Sequence, residues 1–158
     1  IFVPISAFTV APQNTDALVS QGVELGVKLR PWHFLDIGAN YTYLHSRFDY
    51  AAYQLPGRAR HKLGVQLSAK YKKLCFDTQY EFVDRLPIDF AGSTFISNRS
   101  LIDLGLSYQI AKKYTLAAQL KNITNTHTLD SRGYPLPGIQ AYLTFTFTFN
   151  GGDKGAKS

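Results

Sequence analysis

The side chains able to bind a metal ion are spread along the chain rather than gathered in motifs. The four histidines are His33, His45, His61 and His127. No two of them have the short spacing that brings two imidazoles onto one metal ion. Cys75 is the only cysteine, so an internal disulfide is excluded and an inert thiol is its default role. We therefore expect no metal site and no bound cofactor.

Two carboxylates, Asp77 and Glu81, share one face of a predicted strand. Four residues of extended chain separate them by roughly 13 Å, which is too far for a paired acid and base. Lys62, Lys70 and Lys121 are predicted on the same polar face and are their expected ionic partners. No serine lies in a nucleophile elbow, and no glycine-rich phosphate loop follows a strand. The sequence thus predicts a protein without enzymatic activity.

Asp77 and Glu81 lie in one of several segments of about ten residues in which apolar and polar side chains alternate. The clearest is QAYLTFTFTF at residues 140–149, where one leucine and three phenylalanines lie on one side and three threonines on the other. Such strands face lipid on one side and a polar environment on the other. The seven segments are residues 22–29, 35–43, 62–71, 74–82, 102–110, 115–121 and 140–149. Residues 1–10 are a candidate eighth strand, which Pro4 disfavours.

The connections between the segments alternate in length. Short turns are predicted at residues 30–33, 71–74 and 111–114, and long loops at about 46–60, 85–100 and 124–139. Aromatic residues mark both strand ends: Trp32, Tyr71, Tyr108 and Tyr114 near the turns, and Tyr41, Tyr43, Tyr80, Phe82 and Tyr142 near the loops. This organisation is typical of an all-β, antiparallel, up-and-down transmembrane β-barrel. The alternative is a soluble β-sandwich or lipocalin-like barrel with its apolar face inward.

Composition supports the membrane interpretation. Aromatic residues make up 14% of the 158 residues and charged residues 18%, which is rich in rings and poor in charge for a soluble domain. The net charge of +6 comes from lysines and arginines scattered in turns and in the C-terminal tail, so we expect no nucleic-acid partner. No apolar run approaches the roughly 18–20 residues of a membrane helix.

The strand number limits the size of the barrel. An eight-stranded barrel has a narrow interior that interlocking side chains must fill, whereas the polar face here is partly glycine, serine and alanine. Such a face suits a wide, gently curved wall. Seven strands alone leave unpaired edges in lipid, so further strands are expected from the rest of a larger protein.

Four motifs resemble those of TonB-dependent outer-membrane receptors, in the same order and with similar spacing. The motifs are QGVELG with LDIGANYTY (residues 21–26 and 35–43), LPGRARHK (55–62), LAAQLKNITN (116–125), and GYPLPG with YLTFTFTF (133–138 and 142–149). The resemblance covers about residues 19–150, and the nearest group is the cobalamin or siderophore receptors. Two departures are the polar tail after Phe149 and Ile139, which stands where the family often has arginine.

The resemblance implies a transporter of the bacterial outer membrane with a barrel of about 22 strands and an N-terminal plug domain. Residues 1–150 would be the C-terminal part of this barrel, of seven or eight strands, and residues 151–158 a polar flexible tail. The plug and the remaining strands would come from the same or a second chain, and the plug would couple to the TonB complex. The cargo would be a scarce ligand such as a siderophore–iron or cobalamin complex. The barrel would contact the lipid bilayer and lipopolysaccharide.

Ligand contacts are expected in the long loops, because loops on a rigid scaffold carry recognition. The candidate residues are Tyr50, Tyr53, Arg58 and Arg60 in the first loop, Asp89, Phe90 and Phe95 in the second, and Arg132 and Tyr134 in the third. Aromatic rings with arginine suit a bulky anionic chelate. Equally, Arg58 and Arg60 would serve to pair with loop carboxylates or with lipopolysaccharide phosphates.

Two other functions remain open from the sequence. One is a self-standing eight-stranded outer-membrane barrel with a structural or adhesive role. The other is a soluble ligand-binding barrel. A requirement for partner strands separates the transporter from the small barrel, and a requirement for detergent separates both from the soluble protein.

Overall fold

The computed structural model describes residues 2–6, 9–12, 17–49, 53–130 and 133–149. The regular structure of these residues is entirely β, as predicted. Among them, no helix is both long enough and apolar enough to cross a membrane. The strands are β1 (Phe2–Ser6), β2 (Thr9–Pro12), β3 (Leu18–Trp32), β4 (Leu35–Phe48), β5 (His61–Tyr71), β6 (Leu74–Val83), β7 (Leu86–Pro87), β8 (Phe95–Ile96), β9 (Arg99–Ala111), β10 (Tyr114–Lys121) and β11 (Gln140–Phe147).

Seven of these strands form one antiparallel sheet in the order β3-β4-β5-β6-β9-β10-β11. They are the seven alternating segments of the sequence, so the prediction of an up-and-down wall is confirmed. In the part of the chain that the structure describes, β3 and β11 are the two edges and do not pair with each other. The short pair β7 and β8 lies within the long connection between β6 and β9.

The candidate eighth strand is divided in two. β1 and β2 pair with each other as a separate two-stranded sheet, with Phe2 opposite Pro12 and Pro4 opposite Val10. The ladder shifts register between Pro4 and Ser6. Proline donates no backbone hydrogen bond and is compatible with an edge strand or a bulge, which fits this short pair.

The two faces of the seven-stranded sheet differ as the alternation predicts. Leu25 lies opposite Tyr41, Tyr41 opposite Leu63 and Leu63 opposite Phe82, so these side chains share one face, the apolar face. The alternate positions form the other face, the polar face. Large side chains of the apolar face are exposed, with 59% of Leu25 and 61% of Phe145 accessible. An apolar surface of this extent is suited to contact with lipid.

Two of the three predicted short turns are confirmed. Lys72 and Lys73 connect β5 to β6, and Lys112 and Lys113 connect β9 to β10. Lys72 adopts a φ of 53°, in the left-handed region that tight turns between antiparallel strands use. The charged side chains at these turns keep the ends of the strands in water.

The first short turn was predicted too early, at residues 30–33, and lies instead at residues 33–34. β3 continues to Trp32 because the ladder with β4 shifts register between Leu29 and Trp32. Pro31 falls inside this irregularity, where its missing backbone donor is tolerated. A proline therefore marks a bulge near the strand end here, rather than the turn itself.

The predicted position of Tyr142 in the interfacial aromatic band is also wrong. Tyr142 lies opposite Gln119, and the next residues of β11 place Leu143 opposite Ala118. Leu143 is on the apolar face, so Tyr142 is on the polar face. The band at the turn end of this hairpin consists of Tyr114 stacked on Phe147, with ring centres 5.1 Å apart.

The small buried core of the described residues lies at the long-loop end of the sheet. Ala59, Val83, Leu86 and Ile96 form one buried cluster, and Pro87 is fully buried. These residues come from the first and second long loops and from the end of β6. The loops are therefore packed on each other and on the sheet, which gives them a defined shape.

Candidate functional site

The described residues of the first and second loops, 49, 53–60 and 84–98, form one packed unit at the end of the sheet. The backbone N–H of Gly57 donates to the carbonyl of Pro87 over 2.8 Å, which joins the two loops directly. Gly92 has a φ of +64°, and a Cβ there would lie only 2.8 Å from the Tyr53 ring. Glycine thus permits both the turn of the second loop and its close approach to Tyr53.

A pocket of about 260 Å³ lies between these two loops. The structure brings three predicted candidates together in its wall: Tyr53 and Arg60 from the first loop and Phe95 from the second. Six further wall residues were not predicted, namely Gln54, His61, Asp84, Arg85, Pro87 and Gly92. Asp84 and Arg85 directly follow the end of β6. A charged pair at a strand end was the sequence feature that could have identified Arg85 as a pocket residue.

Hydrogen bonds and a ring contact fix the two arginines of this pocket. Arg60 donates from Nε to Oε1 of Gln54 over 3.2 Å, and the Gln54 amide in turn donates to the carbonyl of Arg58 over 2.6 Å. The Arg85 guanidinium lies 4.8 Å from the centre of the Phe95 ring. Two positioned guanidinium groups beside aromatic rings provide donors for a carboxylate or phenolate oxygen and a surface for stacking.

The remaining candidates lie elsewhere or outside the described residues. Phe90 packs on Phe48, with ring centres 5.9 Å apart, and so belongs to the packing of the second loop. Tyr134 is 67% exposed in the third loop, away from this pocket. Within the described residues, the side chain of Arg58 makes no hydrogen bond and is exposed. Tyr50 and Arg132 lie outside the described residues.

Asp89 stabilises the second loop internally. Its carboxylate accepts hydrogen bonds from the Ser93 hydroxyl at 2.6 Å and from the backbone N–H groups of Ser93 and Thr94 at 2.9 Å each. These donors lower the pKa of Asp89 from 3.8 to about 2, with the Ser93 hydroxyl contributing most. The carboxylate is thus occupied in shaping the loop that carries Phe95.

The depressed pKa predicts how the loop responds to acid. The ionised carboxylate stabilises the turn fully above the ordinary pKa of 3.8, and this contribution is lost as the pH falls towards 2. Hydrogen exchange of a peptide covering residues 89–94, corrected for intrinsic rates, should show constant protection above pH 5 and a loss below pH 4. Asp89→Asn should show weaker protection at pH 7 and no acid-dependent loss. Equal acid sensitivity in both proteins would contradict this role.

The carboxylates of the polar face have other partners than those predicted. Glu81 pairs with Arg99, with Oε1 3.1 Å from Nη2, rather than with a lysine. Asp77 accepts a hydrogen bond from the Ser68 hydroxyl over 2.6 Å. Both partners, Ser68 and Arg99, lie on strands that pair with β6. Their side chains contact the two carboxylates directly, and the predicted lysines do not.

Two histidines of the described residues have ring contacts, and that of His33 is an edge contact with Phe34. His61 Nδ1 lies 2.7 Å from the Tyr41 hydroxyl, and its ring packs against Tyr41 and Tyr43 on the apolar face. In the part of the chain that the structure describes, no three His, Cys, Asp or Glu side chains are grouped as a metal site requires.

Sequence comparison identifies the family. The family model described as TonB dependent receptor-like, beta-barrel matches residues 3–123. The chain belongs to the TonB-dependent receptor β-barrel family. This membership excludes the soluble-barrel alternative, and the resemblance noted in the four motifs is thereby confirmed at the level of the family. No curated protein sequence matches the chain.

Solved structures with the same fold include several receptors. The siderophore receptor PiuA from Acinetobacter baumannii superposes with a TM-score of 0.78 at 20% identity, over 92% of this chain and 24% of that protein. The ferric yersiniabactin uptake receptor FyuA from Yersinia pestis gives 0.70 at 16%, over 86% and 23%. The ferripyoverdine receptor of the outer membrane of Pseudomonas aeruginosa gives 0.64 at 17%, over 81% and 19%. At these identities the likeness shows the fold, and the chain spans about a quarter or less of each receptor.

Proposed function

We propose that this chain forms the C-terminal wall of the barrel of an outer-membrane transporter that imports a scarce chelate with energy from TonB. The observation that carries the proposal is the open seven-stranded sheet of a TonB-dependent receptor, apolar on one face and polar on the other. Residues 1–150 belong to the barrel in this proposal, and residues 151–158 form a polar extension. The proposal includes no catalytic step.

The cargo in this proposal is a siderophore–iron complex or, as a second choice, a cobalamin complex. Three similar structures are described as receptors for siderophores or their ferric complexes, which makes ferric siderophores the first class to test. The pocket between the first two loops supports an anionic chelate, because Arg60 and Arg85 stand beside Tyr53 and Phe95. Cobalamin is supported by the resemblance of the motifs alone.

The partners follow from the unpaired edges of the sheet. The backbone groups along β3 and β11 need hydrogen-bond partners in a membrane, where no water is available. In the proposal they pair with the remaining strands of the barrel, from the same or a second chain. A plug domain fills the interior and contacts the TonB complex, and the apolar face contacts lipid and lipopolysaccharide of the bacterial outer membrane. Nucleic acid is not a partner.

A self-standing small barrel with a structural or adhesive role is the competing function. Intact mass spectrometry of the native, detergent-purified assembly separates the two. A longer polypeptide that contains these residues, or a second chain with a plug and more strands, supports the transporter. A lone folded, monodisperse species with the mass of this chain rules out the transporter.

Arg60 and Arg58 provide a matched pair for testing the ligand pocket. Arg60 lines the pocket and is hydrogen-bonded to Gln54, whereas Arg58, on the same loop, does not line it. Arg60→Ala should reduce uptake of a ferric siderophore by about tenfold, the effect of losing one charge-assisted hydrogen bond. Arg58→Ala should reduce it by less than about twofold, and neither should unfold the barrel. Uptake and heat-modifiable migration of the full-length receptor are measured together; an unchanged rate in Arg60→Ala removes the pocket from the proposal.

A further inference from the structure

Two short turns at one end of the sheet each carry a pair of lysines. Lys72 and Lys73 join β5 to β6, and Lys112 and Lys113 join β9 to β10. Because β6 pairs with β9, the two turns are neighbours at the same end of the sheet. We call these four residues the lysine cluster. All four are exposed, and within the described residues none of them forms an ion pair.

The lysine cluster is the place where positive charge is concentrated on the described strands and turns. Neither of its two turns contains a carboxylate, and the remaining turn at this end, His33 with Phe34, has no lysine. The other lysines of the described residues occur singly within strands, at positions of the polar face: Lys28, Lys62, Lys70 and Lys121. The two paired turns therefore differ from the rest of the wall in both charge density and position.

Two of the lysine side chains are held close to the strands. The Lys72 Nζ lies 5.3 Å from the centre of the Tyr71 ring, which is on the apolar face and 69% exposed. The Lys73 Nζ donates to the carbonyl of Ile110 over 3.3 Å and so reaches towards the second turn. Lys72 also has a φ of 53°, which glycine and asparagine adopt more readily than lysine. The geometry of the turn therefore does not favour lysine at this position.

A row of exposed apolar side chains lies next to the lysine cluster. Its members are successive cross-strand partners on the apolar face, in the order Tyr71, Leu74, Tyr108, Leu116 and Phe145. Each is exposed, from 38% for Leu74 to 69% for Tyr71. The row crosses five strands and passes beneath both lysine pairs. Ammonium groups bordering such a row match a molecule that joins an anionic group to hydrocarbon chains.

We propose that the lysine cluster binds an anionic phospholipid of the periplasmic leaflet, with its phosphate between the two lysine pairs and its acyl chains along the apolar row. The short turns of such barrels lie on the periplasmic side. The two turns are two strand spacings apart, roughly 10 Å, which lysine side chains reaching from both sides can span. The inference rests on the proposed function in placing the apolar face in the outer membrane.

Charge and shape together select this class of lipid. A phospholipid with net negative charge is favoured over a zwitterionic one, because its phosphate has no ammonium group of its own to compete with the lysines. A soluble acidic protein or polymer would pair with the lysines but would leave the apolar row uncovered. The phospholipid satisfies both parts of the surface at once.

Photolabelling of the full-length receptor in vesicles tests the lipid preference. The vesicles contain phosphatidylethanolamine with a small, equal fraction of either phosphatidylglycerol or phosphatidylethanolamine that carries a diazirine near the start of one acyl chain. Adducts on peptides that contain Leu74 or Tyr108 should be about tenfold more abundant with the anionic probe, and this ratio should fall as salt is added. Equal labelling by the two probes overturns the proposal.

Paired substitutions test the lysines themselves. Lys72→Gln with Lys73→Gln should lower labelling by the anionic probe about tenfold, as should Lys112→Gln with Lys113→Gln. Lys28→Gln with Lys121→Gln is the matched control, because it removes the same charge from the polar face; its labelling should stay within about twofold of the wild type. Lys72→Arg with Lys73→Arg keeps the charge and should keep the labelling. Equal losses in the turn and control variants overturn the proposal.

Competition distinguishes the source of the phosphate. Unlabelled phosphatidylglycerol in the vesicles should reduce the labelling in proportion to its share of the anionic lipid. Lipopolysaccharide that competes more strongly at an equal number of phosphates would assign the cluster to the other leaflet and overturn the proposal. Soluble polyglutamate that abolishes the labelling at physiological salt would assign it to an acidic macromolecule and overturn it equally.

Uptake by cells that express the same variants separates this inference from the proposed function. TonB-dependent uptake of a ferric siderophore together with equal labelling by both probes leaves the transporter intact and overturns only the lipid site. Selective, lysine-dependent labelling in a receptor that takes up no chelate supports the lipid site and contradicts the transport function.

Discussion

Replacing Leu106 by arginine is expected to lower the free energy of unfolding in lipid by about 2–4 kcal/mol, the cost of an arginine facing the bilayer midplane. Leu106 lies in the middle of β9 on the apolar face, is 47% exposed, and stands between Phe76 and Ala118 of the neighbouring strands. No carboxylate occupies those neighbouring positions, so the guanidinium would remain unpaired in lipid. Urea unfolding of the full-length receptor in phospholipid vesicles measures the change.

Ser107 provides the matched control for this substitution. It follows Leu106 in β9, lies on the polar face, and stands opposite Cys75 and Ala117. Ser107→Arg should change the free energy of unfolding by less than about 1 kcal/mol, because the new side chain points away from lipid. Equal losses in the two variants would contradict the assignment of the faces.

Replacing Asn122 by alanine is expected to lower the free energy of opening of the third loop, residues 122–139, by about 2–4 kcal/mol. Asn122 is 6% exposed and has a φ of 50°. Its amide donates to the carbonyls of Thr126 and Pro137, and its side-chain oxygen accepts from the hydroxyl of Thr124 and the N–H of Thr126. Alanine removes all four bonds and leaves partly buried backbone groups unpaired. Hydrogen exchange of peptides from this loop measures the opening.

Asn125 is the control that isolates the side-chain contribution. It has nearly the same φ, 49°, but it is exposed, and its side-chain oxygen accepts one long bond from Ile139 at 3.4 Å. Alanine carries the same left-handed backbone cost at both positions, so the difference between them reports the hydrogen bonds of Asn122. We expect a loss of about 1 kcal/mol in Asn125→Ala, and a loss as large as that of Asn122→Ala would refute the account.

The strands were predictable because one physical requirement repeats in each of them. A residue between lipid and a polar interior has only two directions to point, so Leu143 and Thr144 already reveal the pleat of β11. The register irregularity between Leu29 and Trp32 is marked in the sequence only by Pro31, which is equally typical of a turn. A bulge changes which residues pair across two strands without changing the kinds of residue in them. The first turn was therefore predicted too early.

The pocket was only partly predictable because it depends on contacts between loops. Composition identified Tyr53, Arg60 and Phe95 as aromatic or cationic loop residues, and the structure places them in one wall. Arg85 joins them through its contact with Phe95, and the second loop approaches Tyr53 closely at Gly92. Contacts over such sequence distances carry no periodic signal, which is also why the packing of Phe90 on Phe48 was not predicted.

The order of the strands has a consequence for how the wall is built. Each strand of the large sheet pairs with the strand next along the sequence, apart from the short β7–β8 pair carried inside one connection. Every pairing within the wall is therefore a hairpin closed over a modest length of chain, and the entropy lost on closure is small. The sheet can grow one hairpin at a time, so in the proposed barrel the slow step of assembly is expected at β11, whose second partner would be a strand from distant sequence.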